Sequence, residues 1–162
     1  MRTIAVSILL LASVAMAAAQ TAAPKKGDAP KTREELMQRV LQTALANITK
    51  VACSEGKACE PATEAEKKNP PLSLSETSQV FGRGIFSGGA SYCGMNWQAR
   101  NFEPMMAYWR TEKKKNDRQL ALIALIHGIA KDQIVSEFWG QGKCPDEIKK
   151  DLEKKLDFKP QG

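Results

Sequence analysis

LALIALIHGIA, residues 120–130, is the stretch that decides the fold, because every residue in it except His127 is apolar or glycine. A helix that is apolar nearly all round is covered by other elements on all sides. Asn116 and Gln119 stand at the spacing of a reciprocal helix cap just before this stretch. We therefore expect the central element of the fold to be a buried helix over about 117–139.

The segments on both sides of this stretch show the three-to-four spacing of apolar residues that is typical of amphipathic helices. Thr32 and Glu35 have capping-box spacing and mark the start of the first of them. We expect these helices over about 32–51, 75–92 and 102–114 and from Pro145 onwards, with a short helical turn from Thr63. The sequence predicts an all-α fold, a compact bundle of four to five helices around the central apolar helix, held by two disulfides.

The second of these helices is unusually rich in glycine. Gly82, Gly84, Gly88 and Gly89 each cost about 1 kcal/mol relative to alanine in a helix interior, so a tertiary contact must compensate. Gly84 and Gly88 are four residues apart. By analogy with membrane helices, this spacing leaves a groove where another backbone can approach closely. A flexible glycine- and serine-rich loop over 82–89 is the alternative.

The N-terminus has the three-part pattern of a secretory signal peptide. Arg2 is followed by an apolar stretch, residues 4–14, and then by small residues that form a cleavage site, which we place after Ala19, with Ala17 as the alternative. The next segment is rich in Pro, Gly, Ala and Lys and lacks large apolar residues. We expect a signal peptide over 1–19, a disordered linker over 20–31 and a single helical domain over 32–160.

The apolar part of the leader is too short to cross a membrane, which takes about twenty apolar residues. We therefore expect no membrane span and a periplasmic or secreted product. Removing Arg2 with the leader leaves 23 basic and 18 acidic side chains, a formal net charge of +5. This excess favours anionic partners, although it is also an ordinary way to remain in solution.

Four cysteines are disulfide candidates in an exported chain, and they allow three pairings. We favour Cys53–Cys59 as a local link and Cys93–Cys144 as a long-range one. Six residues of continuous helix rise by about 9 Å, beyond the roughly 7 Å that a disulfide tolerates. The first pair therefore requires the helix to stop between the two cysteines, and Gly56 is the expected stop. The chain has no Cys-x-x-Cys motif, and we expect no metal and no cofactor.

His127 is the only histidine and therefore the candidate catalytic residue. A buried histidine beside Lys131 would have a lowered pKa and could act as a neutral base. No nucleophile or carboxylate partner stands at a recognisable spacing, and neither Gly-x-Ser-x-Gly nor His-Glu-x-x-His occurs. A hydrogen-bonded core histidine is the simpler interpretation.

Aromatic and basic residues lie close together in sequence between the second and fourth helices. A patch of them exposed on one surface could hold a protein or an anionic component of the cell envelope. The candidate residues are Trp97, Arg100, Tyr108, Trp109 and Arg110. Nucleic acid is not expected, because the chain is exported and has no recognition module.

These observations favour a small exported protein that acts as a non-enzymatic binding or interaction module of the cell envelope. One alternative is a small hydrolase or lipid-active enzyme that uses His127. Another is a chaperone or amphiphile-binding protein with a groove near Gly84 and Gly88.

Overall fold

The computed structural model of the chain describes residues 30–53, 56–138 and 141–160. The predicted signal peptide and most of the predicted linker lie outside the described residues, as does Trp139 at the predicted end of the central helix. The described residues form an all-α fold, which confirms the predicted class. Its helices are α1 (Arg33–Ala46), α2 (Glu64–Lys68), α3 (Leu74–Tyr92), α4 (Glu103–Thr111), α5 (Asp117–Phe138) and α6 (Asp146–Lys155).

Helices α3 and α5 form the centre of the bundle and pack most extensively against each other. Helix α1 packs across both of them, α4 contacts α5, and α6 lies along α3. Leu122, Ile123 and Ile126 of α5 are fully buried, as their apolar surroundings in the sequence predict. The prediction of burial on all sides is wrong for the last two turns, where Gln133 and Glu137 are exposed. The sequence becomes polar there, because the apolar stretch ends at residue 130.

Glycine allows α3 to approach α5 more closely than other residues would. A Cβ atom on Gly84 would stand 2.5 Å from the carbonyl oxygen of His127, and one on Gly88 would stand 2.7 Å from that of Lys131. Helix α3 is continuous through 82–89, so the alternative of a flexible loop is wrong. The predicted close approach is made by this chain's own central helix, which fills the groove that the amphiphile-binding hypothesis needed to be open.

Polar side chains begin α5 and α1 where the sequence predicts them to. Asn116 and Gln119 form a reciprocal cap, with N···O distances of 3.1 and 2.9 Å between each amide and the other side chain. Thr32 accepts a hydrogen bond from the backbone N–H of Glu35 at 3.1 Å. The Glu35 carboxylate accepts from the backbone N–H of Lys31 at 2.7 Å, one residue earlier than in a standard capping box.

Two predicted boundaries are corrected. Helix α1 was expected to reach about residue 51 but ends at Ala46, and a single 3₁₀ turn, Ile48–Lys50, follows it. The side-chain amide of Asn47 donates to the carbonyl oxygen of Thr43. Its backbone N–H donates to the carbonyl oxygens of Ala44 and Leu45 in the last helical turn. The segment expected over 102–114 begins earlier, with a π-helical turn, Gln98–Phe102, that leads directly into α4.

Both predicted disulfides are present. Cys53 pairs with Cys59 at a Cα–Cα distance of 4.9 Å, and Cys93 pairs with Cys144 at 5.0 Å. The second bond links Cys93, directly after α3, to Cys144, two residues before α6 begins. Helix α6 then runs back along α3, and its Leu152 packs beside Gly89.

The Cys53–Cys59 loop does not end a helix at Gly56, as was expected, because the helical chain has already ended at the 3₁₀ turn. The backbone N–H of Cys53 donates to the carbonyl oxygen of Lys57, and that of Cys59 donates to the carbonyl oxygen of Val51, both at 2.9 Å. Gly56 has φ +73°, so it supplies the left-handed conformation of a tight turn between the two cysteines. The disulfide therefore closes a short hairpin-like loop.

Arg118 on α5 connects the central helix to the segment around α2. Its guanidinium makes two contacts with the Glu66 carboxylate, at 2.5 and 2.8 Å, and also donates to the carbonyl oxygens of Glu60 and Pro61. The hydrogen bonds from Arg118 and from the backbone of Thr63 lower the pKa of Glu66 to about 2. This bidentate pair fixes the long connection between α1 and α3 against the core.

Candidate functional site around His127

The side chain of His127 lies inside the bundle, with 2 % of its surface exposed. Its Nε2 atom is 2.9 Å from the hydroxyl oxygen of Ser87 on α3, which is fully buried. The ring of Trp97 stacks on the imidazole at a centroid distance of 5.7 Å, and the ring of Phe102 lies at 4.8 Å. The imidazole is thus enclosed by α3 on one side and by the start of the α4 segment on the other.

Asn101, on the π-helical turn, connects Ser87 to Arg83. Its side-chain N–H groups donate to the Ser87 hydroxyl and to the backbone carbonyl oxygen of Arg83, both at 2.8 Å. Its Oδ1 atom accepts a hydrogen bond from Nε of Arg83. Because an arginine nitrogen can only donate, this contact fixes which end of the Asn101 amide is oxygen.

The hydrogen-bond directions in this network are assigned from Asn101. Ser87 accepts a hydrogen bond from Asn101, and Nε2 of His127 is an acceptor within reach of its single proton. We therefore assign the neutral imidazole with its proton on Nδ1, so that Nε2 accepts from Ser87. Among the described residues, no buried side-chain nitrogen or oxygen lacks a hydrogen-bond partner. The network is complete as a neutral arrangement.

Burial is the main reason that the pKa of His127 is lowered, to about 4. The positive charges of Lys131 and Arg83 act in the same direction, and Asp132 opposes them. The imidazole is uncharged at neutral pH, which is the state that the Ser87 hydrogen bond requires.

Ser87 is a hydroxyl within hydrogen-bond distance of a neutral histidine, a contact that an enzymatic role for His127 would need. The two residues are 40 positions apart, and no spacing in the sequence predicts the contact. Both side chains are buried, however, and the open depressions described on the surface lie elsewhere. One is beside the Cys53–Cys59 loop and Arg118, and another lies between α1 and residues 67–74.

Arg83 joins this network to α6, and no motif in the sequence singles it out. Its guanidinium donates to the carbonyl oxygens of Lys155 and Leu156 at the end of α6. It also lies over the rings of Phe86 and Phe158, at 5.2 and 5.7 Å from their centroids. Burial lowers the pKa of Arg83 from its ordinary value. One side chain thus supplies donors to the π-helical turn and to the last carbonyl groups of α6.

Replacing Arg83 by methionine is expected to destabilise the fold by about 2 kcal/mol, because Asn101 and two α6 carbonyl groups lose charged donors. Urea-induced unfolding followed by circular dichroism measures the change. The matched control is Arg110→Met, since Arg110 is exposed and has one ion pair, with Asp117 at 3.1 Å. The control is expected to change stability by less than about 0.5 kcal/mol, and equal effects in both variants would contradict the role given to Arg83.

The five residues expected to form an interaction patch differ in exposure. Trp109 is buried in the core, and Trp97 and Tyr108 are half-buried. Arg100 lies between the carboxylates of Glu153 and Asp157 on the α6 side, at 2.6 and 2.7 Å, while Arg110 pairs with Asp117. Consecutive helical residues point about 100° apart, so neighbours in sequence diverge on the helix. Both arginines of the predicted patch are thus paired with carboxylates of the chain itself.

Within the ranges that the structure covers, no helix combines the length and the apolar character needed to cross a membrane. The same residues include no group of three or more His, Cys, Asp and Glu side chains placed to hold a metal ion.

Comparison of the chain with protein-family models, with curated proteins and with solved structures gives no match. We therefore classify the chain by its architecture, as a small all-α protein with two disulfides. Such bonds are typical of proteins in oxidising compartments.

Proposed function

We propose that this protein is an exported binding module without catalytic activity, which acts in the periplasm or outside the cell on a protein or an anionic envelope component. Two disulfides support export, because such bonds persist in oxidising compartments and are reduced in the cytosol. Cleavage of a signal peptide after Ala19, and a linker before the domain, are part of the same proposal.

The observation that carries the proposal is the enclosure of His127. Its imidazole is held by Ser87 and covered by the rings of Trp97 and Phe102, so it serves the packing of α3 against α5. An enzyme that used it as a base would have to move these rings before a substrate could reach Nε2. The 2.9 Å contact between His127 and Ser87 is nevertheless what keeps a small hydrolase as the second candidate.

The depression between α1 and residues 67–74 is the surface we assign to the partner. Its floor contains the apolar side chains of Leu41 and Leu72, and its rim carries Glu34, Lys67 and Lys68. An apolar floor within a polar rim is the arrangement that binding surfaces share. Both signs of charge at the rim fit a protein partner better than a purely anionic polymer.

Site-specific photo-crosslinking tests this function. A photoreactive amino acid is placed at Gln38, which lines the depression, or at the control position Ala107, which is exposed on α4. The full chain is expressed in its own host and irradiated in the intact envelope. We expect a discrete adduct from Gln38 and none from Ala107. Equal labelling from both positions, or no adduct from either, would contradict the proposal. Hydrolytic activity that disappears in His127→Gln would establish the second candidate instead.

A further inference from the structure

We propose that neutral His127, bound to Ser87 beneath the rings of Trp97 and Phe102, is an acid-sensitive latch. In its neutral state the latch keeps Trp97 and the π-helical turn Gln98–Phe102, the 97–102 segment, against α3 and α5. It releases this segment when the imidazole takes up a proton.

Protonation of His127 is incompatible with the direction of its hydrogen bond to Ser87. A protonated imidazole donates from both nitrogens, so Nε2 of His127 could no longer accept from Ser87. Ser87 would then accept from both His127 and Asn101, and its own proton would need a new acceptor in a fully buried position. Asn101 cannot turn its oxygen toward Ser87, because that oxygen is bound to Nε of Arg83. Proton uptake therefore breaks the hydrogen bond from Ser87 to His127 and leaves the Ser87 proton without an acceptor, while the bonds of Asn101 to Ser87 and Arg83 remain.

The charges around the imidazole also oppose its protonation. Lys131 and Asp132 on α5 and Arg83 on α3 are the charged groups that act on it. Asp132 is already paired with Lys131, with Nζ and Oδ1 2.5 Å apart. From the 97–102 segment, the uncharged rings of Trp97 and Phe102 contact the imidazole.

A proton on His127 thus adds a further positive charge at a buried site that faces two cations. The aromatic rings attract a cation, but burial and the two cations outweigh this attraction, and the pKa of His127 is lowered to about 4. The charges and the hydrogen bonds therefore act in the same direction, against the protonated state.

The 97–102 segment is the cover that must move before water can reach a protonated imidazole, because the rings of Trp97 and Phe102 lie on it. The contact of α3 with α5 depends on backbone packing at Gly84 and Gly88, which no proton affects. The segment contains a π-helical turn, a rare arrangement that is frequent at functional sites. The bonds of Asn101 keep it closed at neutral pH, and protonation of the covered imidazole makes its opening more frequent.

The pH range of the effect follows from the sign of the shift. The released state has an ordinary histidine pKa near 6.5, while the latched state has one of about 4, so the released state binds more protons between these values. The equilibrium therefore moves toward release as the pH falls, by roughly seventyfold between pH 7.5 and 4.5. The lowered pKa values of Glu66 and Glu76 mean that these carboxylates lose their contributions below about 4.5, outside this range.

Two measurements on the full chain test the latch. His127 is the only histidine, so its Cε1 proton gives a single NMR signal that reports the pKa directly. Hydrogen exchange with mass spectrometry at pH 7.5 and 4.5, corrected for the intrinsic rate, compares the 97–102 segment with α1. We expect an NMR midpoint near 4 and an opening of the segment that increases roughly seventyfold, while α1 changes far less. A midpoint near 6.5, or an equal loss of protection in both regions, would overturn the proposal.

Two variants separate the latch from general acid sensitivity. His127→Gln retains an oxygen that can accept from Ser87 and cannot be protonated in this range, so the opening should become independent of pH. Lys131→Met retains the histidine and removes one of the two cations, so the NMR midpoint should move upward even if the first variant folds poorly. An unchanged pH response in His127→Gln, or an unmoved midpoint in Lys131→Met, would contradict the mechanism.

Discussion

Replacing Gly84 by leucine is expected to destabilise the fold by roughly 4 kcal/mol, near the upper end of what overpacking causes. A Cβ atom there would stand 2.5 Å from the carbonyl oxygen of His127 and 2.6 Å from the Cβ of Ala130. The carbonyl oxygen belongs to the backbone of α5 and cannot turn away as a flexible side chain would. The two central helices must therefore separate, and the loss of their contact outweighs the higher helix propensity of leucine. Urea-induced unfolding of the purified variant measures the change.

Gly82→Leu is the matched control, because it lies in the same helix and nothing stands within 4 Å of a Cβ atom built there. The substitution is expected to stabilise the fold by up to about 1 kcal/mol, through helix propensity alone. Gly84→Ala should have the same sign as Gly84→Leu and a smaller size. Similar stabilities for the variants at positions 82 and 84 would show that the close contact between α3 and α5 is absent in solution.

The sequence predicts most clearly those features that local chemistry controls. The apolar stretch over 120–130 identifies the buried helix, and the spacing of Asn116 and Gln119 identifies its start. Both depend on residues within a few turns of each other. The spacing of Gly84 and Gly88 likewise indicates a close helix contact, but it cannot say which element makes the contact. The structure supplies that answer, since α5 fills the space that could also have held a ligand.

Contacts between distant residues were not predictable in the same way. Ser87 and His127 are 40 positions apart, and Arg83 and Asn101 are 18 apart, so each pair meets only because the helices have packed. Serine and asparagine are common residues without a distinguishing spacing. The one feature of the sequence that pointed to this network is Arg83, the lone arginine in a helix rich in glycine and apolar residues. Such a charge must find partners if it is buried.

The residues of the predicted interaction patch differ in exposure for a related reason. The patch was drawn from closeness in sequence, whereas exposure depends on the direction in which each helical residue points. Tyr108 and Trp109 are adjacent, yet Trp109 is 2 % exposed and packs in the core while Tyr108 remains half-buried. The charge of Arg100 was not predictable from its neighbours in sequence either, because two carboxylates more than fifty positions later neutralise it.

Helix α6 is attached to the bundle with little apolar burial. Its first and last turns are almost entirely charged, and only Leu152 and the following Leu156 bring apolar side chains into the interior. The remaining ties are polar contacts from Arg83 and Arg100 and the Cys93–Cys144 bond. A helix with so little apolar burial depends on the covalent link more than its neighbours do.

Removing the Cys93–Cys144 bond by replacing both cysteines with serine is therefore expected to destabilise the fold by about 4 kcal/mol. The two residues are 51 positions apart, and a long loop gives the unfolded chain much freedom that the bond removes. The Cys53–Cys59 bond spans 6 positions, and the same substitution there should destabilise the fold by only about 2 kcal/mol. Urea-induced unfolding of both double-serine variants provides the comparison.

Hydrogen exchange should also place the two losses in different parts of the molecule. Without Cys93–Cys144, α6 should lose protection first, because few apolar contacts hold it to α3. Without Cys53–Cys59, the effect should stay near the short loop, whose backbone hydrogen bonds at Cys53 and Cys59 remain available. A larger loss of stability without Cys53–Cys59 would show that the entropy of the unfolded chain is not the main source of stabilisation. Local packing around Cys59, which is 3 % exposed, would then be the main source.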